Sequence, residues 1–199
     1  MNIIDGPATQ NFSNRPASED IVKQVIVHSM GEVLRWGGST CTAGEMLTLK
    51  TPPSTWTEQW SRVSAHYYIT PAGAIHRVLS PDMKAWHAGV SEWSGENNLN
   101  NTAVGFELLV PGTHDYSSFV NAIQHDCFSA AQYDAASWLT AQLMLQYRIG
   151  LQDVRGHSEV SGDAVRGDGK GKIDPGSGFD WRRFYGGVGW YLFREQTTI

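Results

Sequence analysis

Cysteine is scarce in this 199-residue chain: Cys41 and Cys127 are the only two. They are widely separated and do not form a metal-binding pair by spacing, so a disulfide framework is excluded and both are expected as thiols. No run of about 20 apolar residues is present, so no membrane span is expected. Basic charge is also short, with 15 Lys and Arg against 20 Asp and Glu and a formal net charge of −5. That balance argues against nucleic acid or an anionic membrane as partner. The first residues, Met1-Asn2-Ile3-Ile4-Asp5-Gly6-Pro7, have neither a basic stretch nor an apolar one and do not read as a secretory signal. Internal repeats and low-complexity linkers are missing as well.

What is present is a globular composition, 41% hydrophobic and 18% charged, in a chain long enough for one domain with a substantial core. Residues 1–199 read as a single domain, with an irregular lead-in over 1–20 and a C-terminal tail over 186–199. Val22 to His28 is a short β-branched run and predicts a buried strand. Met30 to about Thr55 reads as a long irregular stretch, and Thr55 as the cap of a short helix through Val63. Ser64–Thr70 and Ala74–Leu79 flank Pro71-Ala72-Gly73, a hairpin signal. Ala103–Val110 is a further strand. Ser129–Gln146 has helical periodicity with Gly150 beyond its end. Gln152–Gly156 predicts a short strand and Asp180–Tyr185 a short helix capped by Asp180. Strands interspersed with helices predict an α/β layer fold, a mixed central β-sheet flanked by α-helices.

The chemistry-bearing residues cluster at strand ends. His28 closes a buried strand and His157 follows another. Each alone is equally a histidine satisfied at a sheet edge, but catalytic residues gather at strand ends in layered α/β folds. In Lys172-Ile173-Asp174-Pro175, an extended segment turns Lys172 and Asp174 to one side and Ile173 to the other, toward the core. His28, His157 and Asp174 then make a two-histidine, one-carboxylate set for Zn2+ that leaves a fourth position open. Glu107 interrupts an apolar strand and shares a face with the small Ala103 and Gly105. It is either a structural ion-pair partner or a general base. Trp86 and His87 follow the hairpin; His87 is a surface residue or a donor to substrate. His66 reads as structural.

In order along the chain, these segments resemble the zinc-dependent N-acetylmuramoyl-L-alanine amidases, which include phage lysozyme-type amidases, bacterial peptidoglycan-recycling amidases and the peptidoglycan recognition proteins. The carriers are Asn11-Phe12-Ser13-Asn14-Arg15-Pro16, the strand ending in His28, Arg62-Val63-Ser64-Ala65-His66, Ala85-Trp86-His87-Ala88-Gly89, Asn100 through Leu108, Gly156-His157, and Lys172 through Gly176 with Phe179-Asp180-Trp181. The resemblance implies zinc on His28, His157 and Asp174, and catalytic roles for Glu107 and Lys172. It implies contacts to bacterial peptidoglycan or muropeptides by Trp86, His87 and Asn100, and cleavage between the lactyl group of N-acetylmuramic acid and the L-alanine of the stem peptide. The tyrosine of the phage lysozyme-type branch falls on Ala65, which places the chain with the Glu/Lys branch.

Departures from the recycling enzymes are a longer loop between His157 and Lys172, Asn98 near the place of an arginine, and Ser29 in place of an asparagine. These point to a general muropeptide or whole-sacculus amidase. The expected setting is a monomeric phage endolysin that stays in the host cytoplasm until released to the wall, with a cytosolic recycling amidase and a non-catalytic peptidoglycan-binding module as the alternatives.

Overall fold

A computed structural model describes residues 1–6, 8–17, 22–36, 38–48 and 63–196. The elements run β1 (Ile3–Asp5), β2 (Phe12–Asn14), β3 (Gln24–Trp36), β4 (Ser39–Thr42), α1 (Ala43–Thr48), β5 (Tyr67–Ile69), β6 (Ile75–Arg77), β7 (Met83–Ala85), β8 (Glu92–Trp93), β9 (Glu96–Asn97), β10 (Ala103–His114), α2 (Tyr116–Ile123), α3 (Ala130–Tyr147), β11 (Val154–Gly156), α4 (His157–Val160), α5 (Asp163–Arg166) and α6 (Trp181–Gln196). Among the described residues the main sheet is ordered β1-β6-β5-β10-β3-β11, with β4 folding back on β3. It is mixed, as expected. β3 is parallel to β10 and β11, and β5 is antiparallel to β6.

The two long central strands are apolar on both faces because both faces are covered. Val25 and Val27 of β3, with Val104, Phe106 and Leu108 of β10, enter the large core beneath the helices. Ile26 and Ala103 point the other way, into a smaller cluster with Ala88, Leu99 and Val160. The site sits on that second face. The helical layer is α3 against α6. Ser129 caps α3, its side chain accepting from the Gln132 amide in a capping box, which satisfies amide groups that the first helical turn leaves unpaired. The Ser129 hydroxyl also donates to the Pro71 carbonyl at 2.6 Å, tying the helix to the β5–β6 turn. Gly73 of that turn adopts φ +81°, a conformation open to glycine.

Several elements differ from the sequence expectation. The lead-in over 1–20 is not wholly irregular: β1 pairs with β6 and β2 with β7. Strands of three residues carry too little alternation to stand out from turn-rich neighbours. The stretch after Met30 is not irregular either, because β3 continues to Trp36 and returns through β4. Glu32 and Arg35 interrupt the apolar run there. The helix expected from Thr55 lies outside the described residues. The tail expected over 186–199 is largely α6, which runs to Gln196. Gly186, Gly187 and Gly189 weaken its helical propensity, but Phe184 and Val188 are fully buried against the core, and packing outweighs propensity. Gln152 belongs to a single 3-10 turn before β11 rather than to the strand. Cys41 and Cys127 are free thiols.

Candidate metal centre

The sheet register builds the site. Glu107 of β10 lies directly beside His28 of β3, so their side chains leave the same face. β11 pairs Gly156 with Val27, and the next residue, His157, opens α4 at the same level. Asp174 reaches the histidines from the following loop. Contacts that hold that loop include the Ser158 amide donating to the Asp174 carbonyl at 2.8 Å and the Ser29 hydroxyl donating to the Pro175 carbonyl at 3.3 Å.

His28, His157 and Asp174 converge as expected, with one ligand atom from each within 4.8 Å of the others. His28 Nδ1 lies 3.2 Å and His157 Nδ1 3.0 Å from Asp174 Oδ2. Tetrahedral zinc with bonds of about 2.0–2.1 Å requires ligand atoms about 3.3–3.4 Å apart, so the two histidine–carboxylate separations lie within a few tenths of an ångström of that spacing. The tautomers agree. His157 Nε2 lies 3.2 Å from the Ala88 carbonyl, an oxygen that can only accept, so Nε2 carries the proton. In the neutral ring Nδ1 is then a lone pair aimed at a carboxylate, an arrangement that a shared cation satisfies. Two charged rings are disfavoured there. The ring centroids of His28 and His157 are 4.3 Å apart, and burial, then His157, holds the His28 pKa down to about 4. Burial raises the Asp174 carboxyl, but the two histidines more than offset it and hold it below the usual carboxylate range. These donors fit a divalent zinc ion.

Glu107 stands beside this set. Its Oε2 is buried and has no hydrogen-bond partner among the described residues. Burial and then Asp174 push its pKa well above the ordinary value, and the charge of Lys172 works in the opposite sense. Among the described residues Glu107 has no salt-bridge partner, so the structural ion pair left open by the sequence is not formed as a contact there. Lys172 is exposed, and its amide donates to the Ser161 carbonyl at 2.9 Å. Ile173, expected in the core, is 41% exposed instead. The segment is anchored by its backbone and by Pro175, which is buried, and not by the isoleucine.

The residues expected to contact substrate divide. Trp86 is half-buried and directly precedes His87 in the chain. His87 is buried, not a surface residue, and its Nδ1 lies 2.9 Å from His28 Nε2. Asn100 is also buried. Its Oδ1 accepts from the amides of His87 at 3.0 Å and Ala88 at 2.7 Å, so it braces the His87 turn. His66 is structural, as expected. Its Nδ1 accepts from the Gly105 amide at 3.0 Å and its Nε2 faces the Met83 carbonyl at 3.0 Å. Sequence reasoning missed Arg15 as a support. It donates to the carbonyls of Pro81, Asn101 and Ala103 at 2.8–2.9 Å and fastens the lead-in beneath the site. A buried arginine on carbonyls leaves no periodic signal.

Known proteins share the fold and much of the sequence. The family described as N-acetylmuramoyl-L-alanine amidase matches residues 18–177. A 1,6-anhydro-N-acetylmuramyl-L-alanine amidase, AmpD, of Salmonella typhimurium is 32% identical over 136 residues, 68% of this chain and 63% of the relative. The chain thus spans less than two thirds of that relative's length. The crystal structure of an AmpD derivative superposes with a TM-score of 0.67 at 26% identity, covering 94% of each chain. The amidase AmiD from E. coli, solved with anhydro-N-acetylmuramic acid-L-Ala-D-γ-Glu-L-Lys, has the same fold at a TM-score of 0.60 and 22% identity, over 87% of this chain and 60% of that one. With most of its length matched by the family, the chain belongs to the N-acetylmuramoyl-L-alanine amidases.

Proposed function

We propose that the chain is a zinc-dependent amidase that hydrolyses the bond between the lactyl group of N-acetylmuramic acid and the L-alanine of the stem peptide, with muropeptides as substrates. The observation that carries the reading is Glu107. It is a carboxylate with a buried, unpartnered oxygen, at the same register as His28 and beside a ready set of three metal ligands. A zinc ion held by His28, His157 and Asp174 supplies Lewis acidity toward the scissile carbonyl and acidifies water to a pKa of about 7. The protein's own residues do the rest. Glu107 accepts a proton at its carboxylate and hands it to the departing alanine nitrogen. Lys172 sets its charge toward the oxygen that turns negative. Trp86 offers an apolar face.

The names of the matching relatives favour muropeptide recycling over the phage endolysin setting expected from the sequence, and the AmiD complex holds an anhydromuropeptide. The same names, with the complete ligand set, favour an enzyme over a binding module. Rates on anhydromuropeptides and on intact sacculi test this. Faster release of the peptide from anhydromuropeptides is expected. Activity on sacculi alone would return the reading to a wall-lytic amidase.

A further inference from the structure

The turn His87–Ala88 receives the outward ring nitrogens of both histidines in the metal set. His157 Nε2 donates to the Ala88 carbonyl at 3.2 Å. His28 Nε2 meets His87 Nδ1 at 2.9 Å, with the two rings perpendicular and their centroids 5.0 Å apart. For His28 to offer a lone pair at Nδ1, its proton must sit on Nε2, and an acceptor must stand there. Histidines that ligate a metal generally donate their other N–H in this way, to carboxylates, carbonyls or water, and so fix ring tilt and tautomer. Here a second imidazole occupies that place. We propose that His87 is a positioning residue of the metal centre, its Nδ1 accepting the Nε2–H of His28 and setting the angle at which His28 presents Nδ1.

Three observations separate this from a substrate contact or simple packing. His87 is 9% exposed and its Nε2 is buried without a partner among the described residues, so neither ring nitrogen is open to a ligand in the cleft. Its backbone is held by the Asn100 side chain, and the Asn100 and Asn101 carbonyls are held in turn by Arg15. The ring also lies directly over Gly105 of β10. A Cβ there would meet His87 Nδ1 at 2.5 Å, Cγ at 2.7 Å and Cε1 at 2.8 Å. Glycine at 105 is therefore what lets the ring drop far enough to reach His28, and Gly105 is pinned by mutual backbone and ring contacts with His66.

This inference rests on the metal reading, and the test separates the two. Zinc affinity of the full chain is measured by competition with a chromophoric chelator, alongside the absorption spectrum of the cobalt(II) form. The variants are His87→Asn, whose amide oxygen takes the Nδ1 position, His87→Gln, whose amide falls at the Nε2 position, and Gly105→Ala, which displaces the ring. His87→Gln and Gly105→Ala are expected to bind zinc about 10–100-fold more weakly and to shift the cobalt spectrum. His87→Asn is expected to recover most of the affinity. Unfolding of the metal-free forms checks that each variant is folded. A packing role would rank the larger Gln above Asn, and that order overturns the proposal. So does wild-type affinity in both His87→Gln and Gly105→Ala. A wild-type chain that binds no zinc overturns the metal reading and this inference with it.

Discussion

Replacing Glu107 by Gln removes the proton acceptor while keeping nearly the same volume and one oxygen. In the native protein the carboxylate is held where ionisation is unfavourable: its Oε2 is buried and unpartnered, and burial and Asp174 both raise its pKa. A general base contributes about 10²–10⁴-fold to a rate. At 1.36 kcal/mol per factor of ten, the barrier should rise by about 2.7–5.4 kcal/mol. Zinc content should not change, because Glu107 is not one of the three converging ligands. Stability should move the other way. A carboxyl with a raised folded pKa contributes stability that is fully present below the unfolded pKa of about 4.3 and is lost as pH rises through the folded value. Metal-free Glu107→Gln lacks that loss and should unfold at equal or higher denaturant than wild type at pH 8. The assays are peptide release from a muropeptide, metal analysis and urea unfolding. Turnover within threefold of wild type at unchanged zinc content would refute the role given to Glu107.

Lys172→Ala should lower turnover by about 10²–10³-fold, as loss of an oxyanion-stabilising group does, with zinc content unchanged; steady-state kinetics and metal analysis check it, and a purely KM effect would move Lys172 to substrate binding. Burial and then Arg15 hold the His66 pKa down to about 3, so the unfolded chain takes up a proton near 6.5 that the native one refuses. Stability from this group is full above about 6.5 and falls with pH below it, by about 2 kcal/mol between pH 6.5 and 5; the stability difference between wild type and His66→Gln in metal-free urea titrations should shrink by that amount, and a pH-independent difference would exclude it. Leu139, 1% exposed in the core under the sheet, should cost about 2–5 kcal/mol on change to Ala without altering zinc affinity; a stability loss under about 1 kcal/mol would mean that this core is not packed as described.

The central layer was legible in the sequence because it left local patterns, and the convergence of His28, His157 and Asp174 was expected from their places at strand ends together with the family resemblance. The alternation of β10 put Glu107, Gly105 and Ala103 on one face, and the register confirms it. The apolar run ending in His28 marked β3, and the helical periodicity over Ser129–Gln146 marked α3. What was not legible depends on contacts between distant segments. β1 and β2 are strands only because β6 and β7 lie alongside them. The glycine-rich first half of α6 is helical because Phe184 and Val188 bury against the core. His87 read as a surface residue or a donor to substrate, since nothing local shows that Gly105 leaves it room to reach His28. Ile173 faces solvent where alternation alone sent it inward, because backbone contacts to Ser158 and Ser161 fix that segment.

Purified protein is stripped with a chelator and incubated with anhydro-N-acetylmuramic acid-L-Ala-D-γ-Glu-L-Lys, with and without added zinc, and the products are weighed by mass spectrometry. An intact peptide beginning at L-alanine and a free anhydro sugar are expected, both absent from the stripped sample and restored by zinc. Cleavage inside the peptide, or release that the chelator does not touch, would contradict a zinc-dependent amidase.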